Sequence, residues 1–176
     1  MWSARVSPMP SDVLVIAAVA GTAGSGAAID CVTRRVPNWL TAGTAVLGLA
    51  TAASHLSGIS LAAAAGGCAF GAALMLPGHV FGATGAGDVK LLGALGTMLG
   101  PTRTGLAFVY ASMAGGVLAL MVAATRGRLH ATLDGAATFV RTGGRNVADL
   151  ENPSTNNRFA FAPALAIGAI VAAVGL

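Results

Sequence analysis

Apolar residues fall in long stretches that end at charges or at proline and glycine breaks, and these stretches fill most of the chain. Six can be read: Val13 to Ile29, Trp39 to Ser57, Leu61 to Phe81, Val89 to Gly100, Gly105 to Thr125, and Phe159 to Leu176. A helix that crosses a bilayer needs roughly 20 apolar residues, and runs of this kind predict such helices. The fourth stretch is too short to cross and begins beside a charge. It either borrows from the glycine-rich run before it or forms a shorter, partly buried helix. The one sizeable polar segment, Arg126 to Arg158, carries Leu129, Leu133, Ala136, Ala137 and Val140 at a loose helical spacing. That spacing predicts an amphipathic helix lying on a membrane face, its arginines near anionic headgroups; the alternative is a plain solvated connector. The predicted fold class is therefore all-α, a polytopic membrane bundle of about six transmembrane helices. It is expected to form a single domain over residues 1–176.

Composition narrows the classes further. The chain is 55% hydrophobic and only 9% charged, with a mean hydropathy of +0.77. Soluble domains carry about 25% charged residues, so this chain has too few to solvate a compact globule. Disordered chains are polar and charged, which excludes that class. Cys31 and Cys68 are its two cysteines, too few for a disulfide scaffold. No nucleic-acid partner is expected; the bilayer is. The oligomeric state is left open.

Charge also predicts orientation. Arg34 and Arg35 follow the first stretch, Lys90 follows the third, and Arg126, Arg128, Arg141, Arg145 and Arg158 separate the fifth from the sixth. Only Arg5 and Arg103 fall on the other side. Positive loops stay in the cytoplasm, so both termini are expected outside. The first stretch, ending in Gly26-Ala27-Ala28, also resembles a secretory signal with small residues at its cleavage site. One arginine precedes it and two follow, and that bias favours a retained helix. Gly67-x-x-x-Gly71 and Gly96-x-x-x-Gly100 fit the close backbone packing by which helices associate in lipid, and they imply no chemistry.

The six acids are the candidate chemistry: Asp12, Asp30, Asp88, Asp134, Asp149 and Glu151. Asp12 is expected to cap the first helix. Asp134, Asp149 and Glu151 lie in the polar segment and are expected to be solvated. Asp30 and Asp88 each stand where an apolar stretch meets a cytoplasmic loop. A carboxylate near hydrocarbon is costly and marks a functional site by default. An interfacial aspartate facing water or an arginine is the bland alternative, and the shared side and depth of the two weigh against it. Two carboxyls brought together in a site of low polarity do not both ionise, and they hold one shared proton as a unit. Such a pair can hydrolyse a peptide with neither metal nor covalent intermediate. Asp88 lies in Gly85-Ala86-Gly87-Asp88-Val89-Lys90, whose glycines would let a substrate backbone approach. If Asp88 opens the fourth helix, the helix dipole favours its charged form. Lys90 does not face Asp88 on a helix, so it is expected to anchor at headgroups or to meet another acid.

These residues carry a family resemblance. Gly85-Ala86-Gly87-Asp88-Val89-Lys90 resembles the GxGDxK signature of type IV prepilin peptidases. Asp30-Cys31-Val32-Thr33-Arg34-Arg35-Val36-Pro37-Asn38 resembles that family's first aspartate motif, an aspartate followed by a basic stretch and Ile/Val-Pro-Asn. Phe161-Ala162-Pro163 resembles the start of its last helix. The resemblance implies a membrane aspartyl protease that cuts short basic leaders from prepilins and pseudopilins at the cytoplasmic face of the plasma membrane. It implies Asp30 and Asp88 as the catalytic pair, supported by Gly85, Gly87, Lys90, Arg35, Pro37 and Asn38, with no cofactor and no metal. The compact form is similar to tight-adherence (Flp-type) and archaeal preflagellin peptidases. Larger members add a methyltransferase segment with paired CxxC motifs; this chain has no CxxC, so N-methylation by it is not expected.

Other residues carry less. His55, His79 and His130 have no metal-ligand spacing. Cys31 and Cys68 are expected to be buried, inert thiols. Ser25 does not lie in a nucleophile elbow. Trp2 and Trp39 read as interfacial anchors, and Pro37 with Asn38 sets the turn into the second helix. The competing classes are a transporter or channel using Asp30 and Asp88 as ion or proton sites, and a structural membrane subunit. The presenilin group shares GxGD but pairs its first aspartate with tyrosine, and Tyr110 here lies far from both acids in sequence.

Overall fold

The computed structural model describes residues 10–80, 84–142 and 161–175. Six helices and no strand occur among them: α1 (Pro10–Thr33), α2 (Asn38–Ala53), α3 (Leu61–Val80), α4 (Ala86–Thr125), α5 (Leu129–Thr142) and α6 (Ala162–Val174). By length and composition, α1, α3 and α4 are able to cross a membrane. α2 and α6 are apolar but shorter, with 16 and 13 residues.

The expected fourth and fifth stretches join in α4, a 40-residue element broken at Gly100, where φ is 72° and ψ is 172°. That backbone region is essentially glycine-only, and Pro101 follows, unable to continue a helical hydrogen-bond ladder. The break is a fold-back. A Cβ on Gly71 of α3 would meet the Leu92 carbonyl oxygen at 2.7 Å and the Thr104 methyl at 3.1 Å. In an unbroken helix those two residues would be about 18 Å apart. The first limb of α4 runs against α3, pairing Gly71 with Leu92 and Gly67 with Gly96. The second runs with it, pairing Gly66 with Pro101 and Phe70 with Gly105. The short fourth stretch is thus one arm of a fork that embraces α3.

Glycine makes this closeness possible. A Cβ on Gly67 would land on the carbonyl oxygen of Gly96, and a Cβ on Gly96 on that of Gly67. The packing reading holds for Gly67, Gly71 and Gly96; Gly100, whose would-be Cβ meets nothing within 4 Å, is instead a hinge that the pattern did not announce. α6 lies between α1 and the second limb, with Gly168 against Ala107 and Ala111. The core is built from Val15, Val19 and Ala23 of α1, Leu91, Leu92, Leu95 and Met98 of the first limb, and Leu165 and Ala169 of α6. α2 packs on the first limb, with Gly48 over Thr97 and Met98. Between α1 and α2 an apolar cleft remains, lined by Leu14, Val15, Ala18, Leu47, Thr51 and Met98.

Several boundaries differ from expectation. α1 begins at Pro10, so Asp12 lies inside its first turn rather than at its cap. It runs on to Thr33, which makes Asp30 a helical residue and not a loop residue. α2 ends at Ala53, ahead of a turn with positive φ at His55 (58°) and Gly58 (69°). α5 occupies the first part of the predicted amphipathic segment, with Leu133 and Asp134 exposed on it. Trp2, Arg145, Asp149, Glu151 and Arg158 lie outside the described residues.

Candidate active site

Asp30 is in the last turn of α1 and Asp88 in the first turn of α4. The chain reverses between them, so the end of α1, the start of α2, the end of α3 and the starts of α4 and α6 meet at one end of the bundle. The Gly100 bend is at the other. Arg34, Arg35 and Lys90 belong to the aspartate end, whereas Arg103 follows the bend.

Both carboxyls are buried, Asp30 with 7% and Asp88 with 8% of its surface exposed. Both stand at the same end of the bundle, and no hydrogen bond joins them among the described residues. Each is instead held by a main-chain donor at a helix start. The Gly85 N–H donates to Asp88 Oδ2 over 3.2 Å. Gly85 is the residue before α4 and has no side chain of its own, so this is the reciprocal half of a capping box. The Ala162 N–H donates to Asp30 Oδ2 over 3.3 Å, a contact spanning 132 residues. α6 is preceded by Phe161 and carries a proline in its first turn, so it has no capping side chain of its own. Asp30 supplies it. Helix starts concentrate unpaired N–H groups and positive potential, which favours a carboxylate there.

The supporting residues are positioned by the same junction. α1 stops where Arg34 turns to positive φ, 51°. The Thr33 hydroxyl donates to the Ile29 and Arg35 carbonyl oxygens, and Pro37, in extended conformation, caps α2 through its carbonyl to Leu40 and Thr41. Gly87 faces Val36: a Cβ there would stand 3.3 Å from the Val36 Cβ. The bare face of Gly87 thus admits the turn at Val36. Lys90 Nζ donates to Asn38 Oδ1 over 3.0 Å, joining the two motifs across 52 residues. Its partner among the described residues is a neutral amide and not an acid. Arg35 is exposed and contacts neither carboxyl among the described residues.

Cys31 departs from expectation. It is exposed, while Cys68 is half-buried. Successive helical residues turn about 100°, so with Asp30 facing inward its neighbour faces out. Trp39 is 70% exposed at the start of α2, where an interfacial anchor was expected. His79 was set aside in the sequence, yet its Nδ1 lies 3.2 Å from the Thr84 carbonyl oxygen, beside the Asp88 segment. The role of Asp30 at α6 was also missed. The signal for it was negative: a helix opening Phe-Ala-Pro without a capping side chain needs an acceptor from elsewhere.

The three sequence stretches that share motifs therefore converge: the Asp30–Asn38 run, the Gly85–Lys90 run and the Phe161–Pro163 turn. A search of curated proteins and one of solved structures return no match. The model of the type IV leader peptidase family matches residues 14–120, a stretch that contains both aspartates, the Pro37–Asn38 turn and the glycine run. With more than half its length matched, the chain belongs to the type IV leader peptidase family.

Proposed function

We propose that this peptidase is a membrane aspartyl endopeptidase that removes the short leader of type IV, Flp-like prepilins or pseudopilins at the cytoplasmic face of the plasma membrane. Asp30 and Asp88 are its catalytic pair, and Gly85, Gly87, Pro37, Asn38, Lys90 and Arg35 support them. The observation that carries the reading is the pairing of the acids. Two carboxyls from distant stretches are buried at the same end of the bundle, and each is fixed by a main-chain N–H. Membership of a peptidase family favours this over an ion- or proton-conducting role for the same pair.

In the proposed reaction one carboxylate takes a proton from water as the water oxygen attacks the scissile carbonyl carbon. The other carboxyl, protonated, donates its proton to the carbonyl oxygen. As the resulting diol collapses, one of its hydroxyls returns a proton to the carboxylate that had donated, the C–N bond breaks, and the leaving nitrogen takes the proton that the first carboxylate drew from water. The pair ends with the single proton it began with. A prepilin carries a basic leader ahead of an apolar helix. That helix would lie in the bilayer beside the bundle, with the scissile bond at the depth of the acids. The net charge of +4 does not attract a basic leader, so local acids and anionic lipids must. No CxxC pair occurs in this sequence, so N-methylation of the product is not part of the proposed activity.

The test is cleavage of a co-expressed Flp-type prepilin in membranes, read by the mass of the product. Wild type is expected to remove a short leader and to leave the new N-terminus unmethylated. Asp30→Asn and Asp88→Asn are expected to lose nearly all turnover. The amide oxygen of asparagine still accepts the Ala162 or Gly85 N–H, so the fold persists while the ionisable group is gone. Cleavage by either variant at the wild-type rate would refute the assignment.

A further inference from the structure

We propose that His79 is a positioning residue for Asp88, acting through the single peptide group that joins Thr84 to Gly85. The inference rests on the reading of Asp88 as catalytic. His79 is in the last turn of α3, and its Nδ1 lies 3.2 Å from the Thr84 carbonyl oxygen. That carbonyl belongs to the same amide plane as the Gly85 N–H, which donates to Asp88 Oδ2 over 3.2 Å. The order is therefore imidazole N–H, carbonyl, amide N–H, carboxylate, four groups in one hydrogen-bonded line. A carbonyl oxygen only accepts, so the imidazole proton must be on Nδ1.

Two further contacts seat the same peptide on α3. The Thr84 hydroxyl lies 3.5 Å from the Met75 carbonyl oxygen. A Cβ on Gly78 would come within 3.1 Å of the Thr84 hydroxyl and 3.2 Å of its methyl, so glycine at 78 is what lets Thr84 dock there. The need for an anchor follows from the sequence. Gly85 lies in this peptide and Gly87 two residues on, and glycine gives the backbone more freedom to lose than any other residue. Gly85 has no side chain to fix the start of α4. Left to itself, the Thr84–Gly85 peptide could rotate, and Asp88 would lose the donor that aims it. A donor on the carbonyl holds the plane in place. It also polarises the amide and strengthens the N–H bond to Asp88, since bonds in such chains reinforce one another.

Asparagine and glutamine separate this role from simple occupancy of the site. Asparagine places its amide nitrogen where histidine has Nδ1; glutamine carries it one bond farther. His79 is exposed, so neither change threatens the fold, and melting temperature in detergent checks that. For prepilin cleavage, His79→Gln is expected to lower kcat roughly tenfold to hundredfold with KM unchanged, the cost of a misaimed reacting group. His79→Asn is expected to stay close to wild type. A second readout does not use activity. Labelling threonine with ¹³C at the carbonyl and glycine with ¹⁵N isolates the Thr84–Gly85 amide from all but those of Thr104–Gly105 and Thr142–Gly143. Its proton resonance should move in Asp88→Asn and in His79→Gln and stay put in His79→Asn. Wild-type kcat and an unmoved Gly85 resonance in His79→Gln would overturn the proposal. So would equal losses in the asparagine and glutamine variants. Should Asp88→Asn cleave like wild type, it is the catalytic reading that fails; the Gly85 resonance still reports on the His79 contact by itself.

Discussion

At the scale of single residues, this protein is governed by what glycine leaves out. Gly67 and Gly96 meet backbone to backbone, and a methyl on either would fall on the carbonyl of the other. Backbone cannot move aside as a flexible side chain can, so α3 and the first limb of α4 would have to separate. Gly67→Ala and Gly96→Ala are each expected to destabilise the fold by about 1–3 kcal/mol, in the range for overpacking a filled interior. Gly43, on the exposed face of α2 with nothing within 4 Å of its would-be Cβ, is the control. Gly43→Ala should be neutral or stabilising by about 0.5–1 kcal/mol, the helix propensity gained. Thermal unfolding in one detergent measures all three. A loss at Gly43 equal to that at Gly67 would mean the close approach is not what glycine serves.

At the scale of elements, α4 decides the architecture. Its first limb presents Asp88 and supplies Leu91, Leu92 and Leu95 to the core, and its second supports α6. Both depend on the reversal at Gly100. A Cβ at Gly100 would meet nothing within 4 Å, yet φ is +72°. Space is therefore not the issue; backbone conformation is. Gly100→Ala should cost about 1–3 kcal/mol through strain alone, and Pro101→Ala, which removes a helix breaker without changing the hinge residue, should cost less. The order of their melting temperatures checks this, and a Pro101→Ala loss larger than the Gly100→Ala loss would contradict it. The apolar pattern announced two stretches here. It did not disclose that they form one interrupted element, because hydropathy reports burial and not the direction in which a chain leaves a turn.

At the scale of the whole molecule, the aspartates, Arg34, Arg35 and Lys90 gather at one end and the Gly100 bend at the other. Cys31 reports on the sidedness of that arrangement. It is exposed and adjoins Asp30, whereas Cys68 is half-buried against the first limb of α4. If the aspartate end faces the cytoplasm, a membrane-impermeant maleimide should label Cys31 in inverted vesicles and spare it in intact cells. Cys68 should react slowly in both. Labelling of Cys31 from outside intact cells would reverse the orientation that the arginine bias implies.

The sequence by itself determined the helical class of the molecule and picked out the two carboxyls proposed to act. A chain this apolar has no means of covering itself with water-soluble surface, so its long stretches had to be helices. Its few acids stood out because a carboxylate beside hydrocarbon needs a reason. Asp30, Asp88 and their flanking glycine, proline and asparagine were all visible as motifs. Only the tertiary structure decided what holds them. The Ala162 N–H reaches Asp30 from a helix far along the chain, Lys90 selects the Asn38 amide, and Gly87 serves Val36. The local pattern also gave no sign that Cys31 would face outward or that His79 would stand behind the Asp88 peptide. Periodicity and composition describe a residue's own helix. Hydrogen-bond partners are set by which helices meet, and in this bundle that was fixed by the few places where glycine let two backbones touch.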